Sequence, residues 1–356
     1  MRVVVALSGG VDSAVVAARV AAAGHEVLGV HLALHKNAGT DSVVARGCAS
    51  PTDVEDARKV AAQLNIGFAV WDFSQQFQRE ILTDFLDEYR AGRTPNPCLR
   101  CNERIKFAAL LDRAVEQGYD KVATGHYAKL VPTPPGVALH RAADMRKDQS
   151  YVLARLNQQQ LQRCWFPLAE DEKTDVRDEA QRLGLGVASK PDSTDICFIP
   201  DGNTQAFLTK ELGQAPGRIV TADGTQLGTH DGTHNYTVGQ RKGLSLRVPA
   251  ADGKPRYVLR LDPVARDVVV GSKDDLAVTE LRADRISWPQ SPVAAAWQGL
   301  VQFRAHSTPV PAQVRYQDGQ MLAELAQPAL GIAPGQTLVA YDGDRVVCSG
   351  IISAAS

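Results

Sequence analysis

An α/β fold is predicted: a doubly wound, mainly parallel sheet over residues 1–204, then a small central β-rich domain over 205–276 and a C-terminal β-barrel over 277–356. Three observations predict it. Short apolar runs alternate with amphipathic stretches in the first part of the chain. After about residue 200, Pro and Gly become frequent and short alternating strands take over. A glycine pair also follows directly on the first apolar run, where an open parallel sheet binds its ligands.

Val3–Leu7 reads as a strand buried on both faces, and Asp12–Ala23 as an Ala/Val-rich helix stopped by Gly24. Val27–Leu34 and Phe68–Phe73 read as the next strands, with a helix over Thr52–Leu64 between them that opens on a capping-box pattern, Thr52-x-x-Glu55. Gln75–Arg90 and Glu103–Gln117 are amphipathic helices, and the Pro-stiffened segment 94–102 is expected to join them as an open loop. Lys121–Thr124 is a fourth strand running into Gly125-His126, and Asp171–Leu183 a further helix whose charge run, Asp171-Glu172-Lys173, is read as solvated surface. Beyond residue 250 the strands are Tyr257–Leu261, Val268–Val270, Leu300–Phe303, Gln313–Tyr316, Met321–Leu325, Thr337–Tyr341 and Val346–Ile352.

With 356 residues, 44% of them hydrophobic, the chain has apolar material for a large core without disulfides. A net charge of −1 excludes general electrostatic attraction to nucleic acid. Any RNA binding must therefore come from local clusters: Arg90, Arg93, Arg100, Arg104 and Lys106; Arg141, Arg146 and Lys147; Arg241 and Lys242. The opening residues lack a secretory h-region and no apolar run approaches ~20 residues, so a cytoplasmic location is expected. In that reducing setting the six cysteines (Cys48, Cys98, Cys101, Cys164, Cys197 and Cys348) are not a disulfide framework, and the pair Cys98/Cys101 reads instead as metal-binding or reactive.

Ser8-Gly9-Gly10-Val11-Asp12-Ser13 lies between strand and helix. Its glycines let backbone amides approach a ligand, and the helix N-terminus that follows favours an anion. Ser8 and Ser13 offer hydroxyls to phosphate, and Asp12 is a candidate Mg²⁺ ligand. The loop has no lysine, unlike a Walker A sequence. Cys101 is expected just before a helix N-terminus, whose dipole favours thiolate, with Arg100 and Arg104 near it. Cys197, far away in sequence, suits it as the other member of a sulfur relay, one thiol carrying a persulfide and the other resolving it through a disulfide. A structural zinc site on Cys98 and Cys101 is the alternative, but a second close ligand pair is missing. Cys164, beside Trp165, and Cys348 read as packed core thiols.

Ser8–Ser13 resembles the PP-loop of ATP pyrophosphatases. Nearly the whole chain resembles the tRNA-uridine 2-sulfurtransferase (2-thiouridylase) family, on these motifs: Gly92-Arg93-Thr94-Pro95-Asn96-Pro97, Cys101-Asn102, Ala123-Thr124-Gly125-His126-Tyr127, Lys147-Asp148-Gln149-Ser150-Tyr151, Asp192-Ser193-Thr194 with Ile196-Cys197-Phe198-Ile199, and Thr237 through Leu244. The resemblance implies ATP-dependent adenylation of a wobble uridine and then sulfur transfer. Ala6, Leu7, Ser8, Gly9, Gly10, Val11, Asp12, Ser13, Leu32 and Gly125 would contact ATP, with Mg²⁺. Asn96, Pro97 and Cys98 would surround the target base. His126, Lys147, Asp148, Gln149, Arg304, Ala305 and Gln336 would contact tRNA, the acceptors being those for Lys, Glu and Gln. Cys101 would be the nucleophile partner and Cys197 the persulfide carrier, recharged by a sulfur-carrier or cysteine desulfurase protein.

Two departures stand out: Cys98 where the family often has Asp, and Ala305 where it has an aromatic. Three cysteines (Cys98, Cys101 and Cys197) suggest an alternative in which a [4Fe–4S] cluster carries the sulfur. The rival functions are a PP-loop amidoligase, a non-enzymatic RNA-binding protein and an RNA-binding metalloprotein.

Overall fold

The computed structural model describes residues 1–35, 51–134, 136–192, 196–199, 201–244, 246, 253–290 and 295–356. Cys48 and the Ser193-Thr194-Asp195 part of one motif lie outside the described residues.

The first sheet is five-stranded and parallel, in the spatial order Gly67–Asp72, Glu26–Ala33, Arg2–Ala6, Lys121–Ala123, Cys164–Trp165. Strand Arg2–Ala6 is central because Val3, Val4 and Val5 are wholly buried, with helices on both sides. Val3 and Val5 pack with helices Val11–Ala22, Pro51–Gln63 and Lys173–Arg182; Val4 faces the layer holding Phe77, Ile81, Leu99 and Ile105. The direction of winding reverses between the first strand and Lys121–Ala123. That switch point opens a crevice at the carboxyl ends of the strands. Arg19 ties two helices across one layer, its guanidinium donating to Asp171 at 2.6 Å and Glu179 at 2.6 Å.

The central domain is a four-stranded sheet in the order Tyr257–Asp262, Asp267–Gly271, Gly217–Thr221, Gln226–His230. The barrel runs Ala277–Ser287, Gln320–Leu330, Val310–Gln317, Ala296–Gln302, Thr337–Asp342, Arg345–Ala355, and closes by pairing the first with the last. Among the described residues no helix is long and apolar enough to cross a membrane.

Three features correct the sequence reading. Strands Lys129–Thr133 and Gly136–His140 form a hairpin that extends the barrel's sheet through the pair His140–Arg345. Segment 94–102 is not an open loop throughout, because a helix starts at Pro97. The helix expected from Thr52 begins one residue earlier, at Pro51, so Thr52 lies inside it.

The seam between barrel and catalytic domain is buried and hydrogen-bonded. Tyr151 Oη donates to Thr337 O at 2.9 Å, and Ser349 Oγ donates to Ala154 O at 2.9 Å. Tyr341, wholly buried, packs into the same apolar cluster as Leu139 and Leu153. Tyr151→Phe removes the donor at constant shape and should lower stability by about 1 kcal/mol in chemical denaturation; an unchanged midpoint would show that this seam does not limit stability.

Candidate nucleotide and thiol site

The loop after the first strand is shaped by close packing. Gly9 has φ +80°, and a Cβ there would lie 2.4 Å from Asp53 O, so both its conformation and its space require glycine. Gly125 packs in the same manner, with its missing Cβ 2.8 Å from Asp12 Cβ. Gly10 is the extended N-cap of helix Val11–Ala22 and supplies no side-chain cap, which leaves the helix N-terminus open to an outside acceptor. Ser13 Oγ donates to Gly10 O at 3.0 Å and lies 3.2 Å from Ser8 N, so this hydroxyl works within the loop. Ala6 ends the strand, Leu7 and Val11 are buried beneath the loop, and Leu32 packs on the opposite layer.

A charge network stands beside this loop. Lys173 Nζ donates to Asp12 Oδ1 at 2.6 Å, to Asp12 Oδ2 at 2.7 Å and reaches Asp192 Oδ1 at 3.0 Å. Tyr127 Oη donates to Asp12 Oδ1 at 2.9 Å, and burial together with that carboxylate pushes the phenol pKa up. Asp192 also accepts from Lys147 at 2.8 Å and Arg177 at 2.7 Å. Burial acts to raise the Asp192 pKa, but the Lys147 and Lys173 ammoniums prevail and hold it below the usual carboxylate range. Lys173 is thus a buried member of the site, not solvated surface, and Asp171 of the same run is paired with Arg19. The cation absent from the loop sequence comes from a helix 161 residues further on. No local pattern around Lys173 marks it.

The cysteines are placed by the helix at Pro97. Asn96 Oδ1 accepts from Cys98 N at 3.1 Å and Leu99 N at 3.3 Å, and Pro97 occupies the first helical position. Cys98 therefore occupies the exposed first turn, while Cys101 lies a turn deeper and buried. The dipole argument made for Cys101 passes to Cys98, since the effect fades within one turn. Directly after Cys101 the helix widens to a π-helix over Asn102–Ala109, with Leu110 N–H reaching Ile105 O. Cys197 is half-buried and packs against the apolar cluster that contains Cys101. Among the described residues no three His, Cys, Asp or Glu side chains are grouped so as to hold a metal ion. Cys164 is buried with its pKa pushed up by burial, and burial holds the Cys348 thiol up at about 12, as fits core thiols.

A cavity of about 570 Å³ opens where the three domains meet. Thr94 and Asn96 line it from the catalytic domain, Thr237 and Val238 from the central domain, and Arg304, Ala305 and Gln336 from the barrel. Gln336 Nε2 donates to Thr94 O at 2.7 Å, and the Arg304 guanidinium donates to Gly331 O. His126 is buried, 2.7 Å from Thr124 Oγ1, and burial with Lys106 nearby lowers its pKa well below the imidazole norm. Asp148 is also turned inward, accepting from Arg141 Nε at 3.0 Å and Ser150 Oγ at 2.8 Å, while Gln149 Oε1 accepts from Tyr127 N at 3.0 Å. Pro97 is buried and Lys147 is committed to Asp192.

The first basic cluster is largely neutralised: Arg90 pairs with Asp87, Arg93 with Glu88, Arg100 with Asp84 and Glu103, and Arg104 with Glu80 and Asp84. Arg141 pairs with Asp148 and Arg146 with Asp144. Arg241 and Lys242 are exposed.

Residues 1–201 match the family described as tRNA methyl transferase HUP domain, 205–272 the tRNA methyl transferase PRC-barrel domain, and 278–352 the aminomethyltransferase beta-barrel domain. The chain is 54% identical over 353 residues to the tRNA-specific 2-thiouridylase MnmA of Acidothermus cellulolyticus, covering 99% of this chain and 98% of that one. It is 54% identical over 352 residues to the protein of the same name from Cutibacterium acnes, covering 99% and 96%. A solved 4-thiouridine synthetase–RNA complex with bound ATP aligns at 17% identity over 59% of this chain and 50% of that one, with a TM-score of 0.35, too distant to carry an argument. Identity at this level along the full length, on an open parallel sheet followed by two β domains, places the chain in the tRNA-specific 2-thiouridylase family.

Proposed function

We propose that this chain makes 2-thiouridine in tRNA, using ATP to activate the oxygen on carbon 2 of a wobble uracil and a cysteine-borne sulfur to replace it. The observation that carries the reading is the uncapped N-terminus of helix Val11–Ala22 at the sheet's switch point, beside the buried Lys173, in a chain with family likeness over its full length. ATP with Mg²⁺ is the substrate of this end. Backbone amides of the loop and the helix N-terminus receive the phosphates. The negative charge of ATP competes with Asp12 for Lys173, and Asp12 then turns to the metal of MgATP.

The uracil O2 attacks the α-phosphorus and pyrophosphate leaves. The terminal sulfur of a Cys197 persulfide attacks carbon 2 and AMP departs with the former O2. Cys101 thiolate then attacks the Cys197 sulfur, releasing the thiocarbonyl and leaving a Cys101–Cys197 disulfide, which an external dithiol reduces. The burial of Cys101 and half-burial of Cys197 in one apolar cluster support this division of roles, since a persulfide needs shelter from solvent oxidants. The cavity at the domain junction is assigned to the anticodon loop, with Asn96, Arg304 and Gln336 on its wall. Base chemistry requires the target to leave its stack, and a walled cavity suits an extruded nucleotide. Acceptors for Lys, Glu and Gln, a sulfur-carrier protein as donor and a cytoplasmic setting complete the proposal.

Nucleoside mass spectrometry of unmodified tRNA incubated anaerobically with MgATP and a persulfide source is the test. Cys101→Ser and Cys197→Ser should yield no 2-thiouridine yet still release pyrophosphate in the presence of tRNA, whereas Cys98→Ser should thiolate. Activity that tracks bound iron and needs Cys98 would replace the relay by the cluster, and nitrogen in the product by the amidoligase. Lys173→Ala should slow tRNA-dependent pyrophosphate release about 10²-fold or more, as removal of a transition-state charge partner does; near-normal release would remove Lys173 from the mechanism.

A further inference from the structure

A loop can offer its amides to phosphate only if its carbonyls face elsewhere and find donors there. In a trans peptide the C=O and the next N–H point in opposite directions. The fate of the Gly9 carbonyl therefore sets where the Gly10 amide points, while the Ser8 amide, opposite the Leu7 carbonyl, donates to Ser13 Oγ at 3.2 Å.

Both carbonyls are held from the protein side by residues that neither the loop motif nor the activity above accounts for. Leu7 O lies 2.9 Å from His31 Nδ1. A carbonyl only accepts, so Nδ1 carries the proton, and burial, which lowers the His31 pKa, agrees with a neutral ring. Gly9 O accepts from Lys190 Nζ at 2.9 Å. The same ammonium donates to Asp53 Oδ1 at 2.7 Å and Asp56 Oδ2 at 2.6 Å, which fixes it on the first turns of helix Pro51–Gln63. That helix is also where Gly9 makes its close backbone contact, through Asp53 O. The Gly10 amide, opposite the gripped carbonyl, donates to no described backbone or side-chain group.

We infer that Lys190 is a positioning residue for nucleotide binding: it grips the Gly9 carbonyl, turns the Gly10 amide outward, and thereby prepares the loop for a nucleoside triphosphate. Two carboxylates against one ammonium leave the trio with net negative charge, so Lys190 does not act by attracting phosphate at a distance. It acts through the orientation of one peptide group. In this it differs from Lys173, whose partner Asp12 lies on the helix at the mouth of the site.

The inference rests on the ATP reading, and the experiment separates the two. Binding of Mg²⁺ with α,β-methylene-ATP, which cannot be cleaved between those phosphates, is followed by calorimetry on the full-length protein without tRNA. In parallel, tRNA binding is followed by anisotropy and unfolding by thermal melt. Lys190→Met should weaken nucleotide binding by about tenfold or more, as loss of a charge-assisted hydrogen bond does, with tRNA affinity unchanged. Lys190→Arg should recover most of the loss. Asp56→Asn, which only loosens the ammonium's anchor, should weaken nucleotide binding to a smaller degree and keeps the test open if Lys190→Met does not fold. Equal nucleotide affinity in wild type, Lys190→Met and Asp56→Asn overturns the inference and leaves the ATP reading standing. Parallel losses of nucleotide affinity, tRNA affinity and melting temperature make Lys190 a general structural residue and overturn it as well. Absence of nucleotide binding in the wild type overturns both.

Discussion

Lys173 holds its ammonium between two carboxylates, Asp12 from the first loop of the chain and Asp192 from the segment leading to Cys197. Two ends of the catalytic domain meet on that one charge. Lys147 and Arg177 share Asp192, and Tyr127 shares Asp12, so the loop, the fourth strand's exit and the helix from Lys173 are fixed relative to one another. Lys173 is buried and its partners are part-buried, so removing its ammonium would leave two half-shielded carboxylates without their main counter-charge. A bound triphosphate would compete with Asp12 and Asp192 for the Lys173 ammonium, so this network would respond to nucleotide.

The second constraint is the seam. The catalytic domain lends a hairpin to the barrel's sheet, and Tyr151, Ser349 and Tyr341 lock the join with hydrogen bonds and apolar contact. The Arg93–Thr94 stretch meets Gly335 so closely that a Cβ at Gly335 would lie 2.9 Å from Arg93 Cβ, and Gly92 approaches Pro263 of the central domain in the same way. Residues from all three domains thus wall one cavity.

The parallel sheet, its crossover helices and the closed barrel were legible because each depends on local periodicity. The loop Ser8–Ser13 was legible because glycines at a strand end have few structural uses. The helix at Pro97 was legible too, in principle: Asn followed by Pro is an N-cap and first-turn pair, but the two prolines were read as loop stiffeners. Lys173, Lys190 and His31 were not. Their partners lie far away in sequence, and a lysine in a charged run looks the same whether it is solvated or buried against a distant carboxylate. The ion pairing of the first basic cluster was legible for the opposite reason. Its acidic partners, such as Asp87 for Arg90 and Glu103 for Arg100, stand three residues away, so neutralisation was visible in the spacing.

The hairpin over Lys129–His140 has a consequence for how the molecule is made. It leaves the ribosome with the first domain, yet the strand it joins, Arg345–Ala355, lies some two hundred residues further along the sequence. Vectorial synthesis exposes one edge of that hairpin for the time needed to add some two hundred residues, about 10–40 s at ordinary elongation rates. The catalytic domain cannot complete its own boundary until the barrel closes. Translation order therefore leaves that edge unpaired until Arg345 and the strand it opens have been made, and chains truncated before them keep an unpaired edge, a mark of aggregation-prone intermediates.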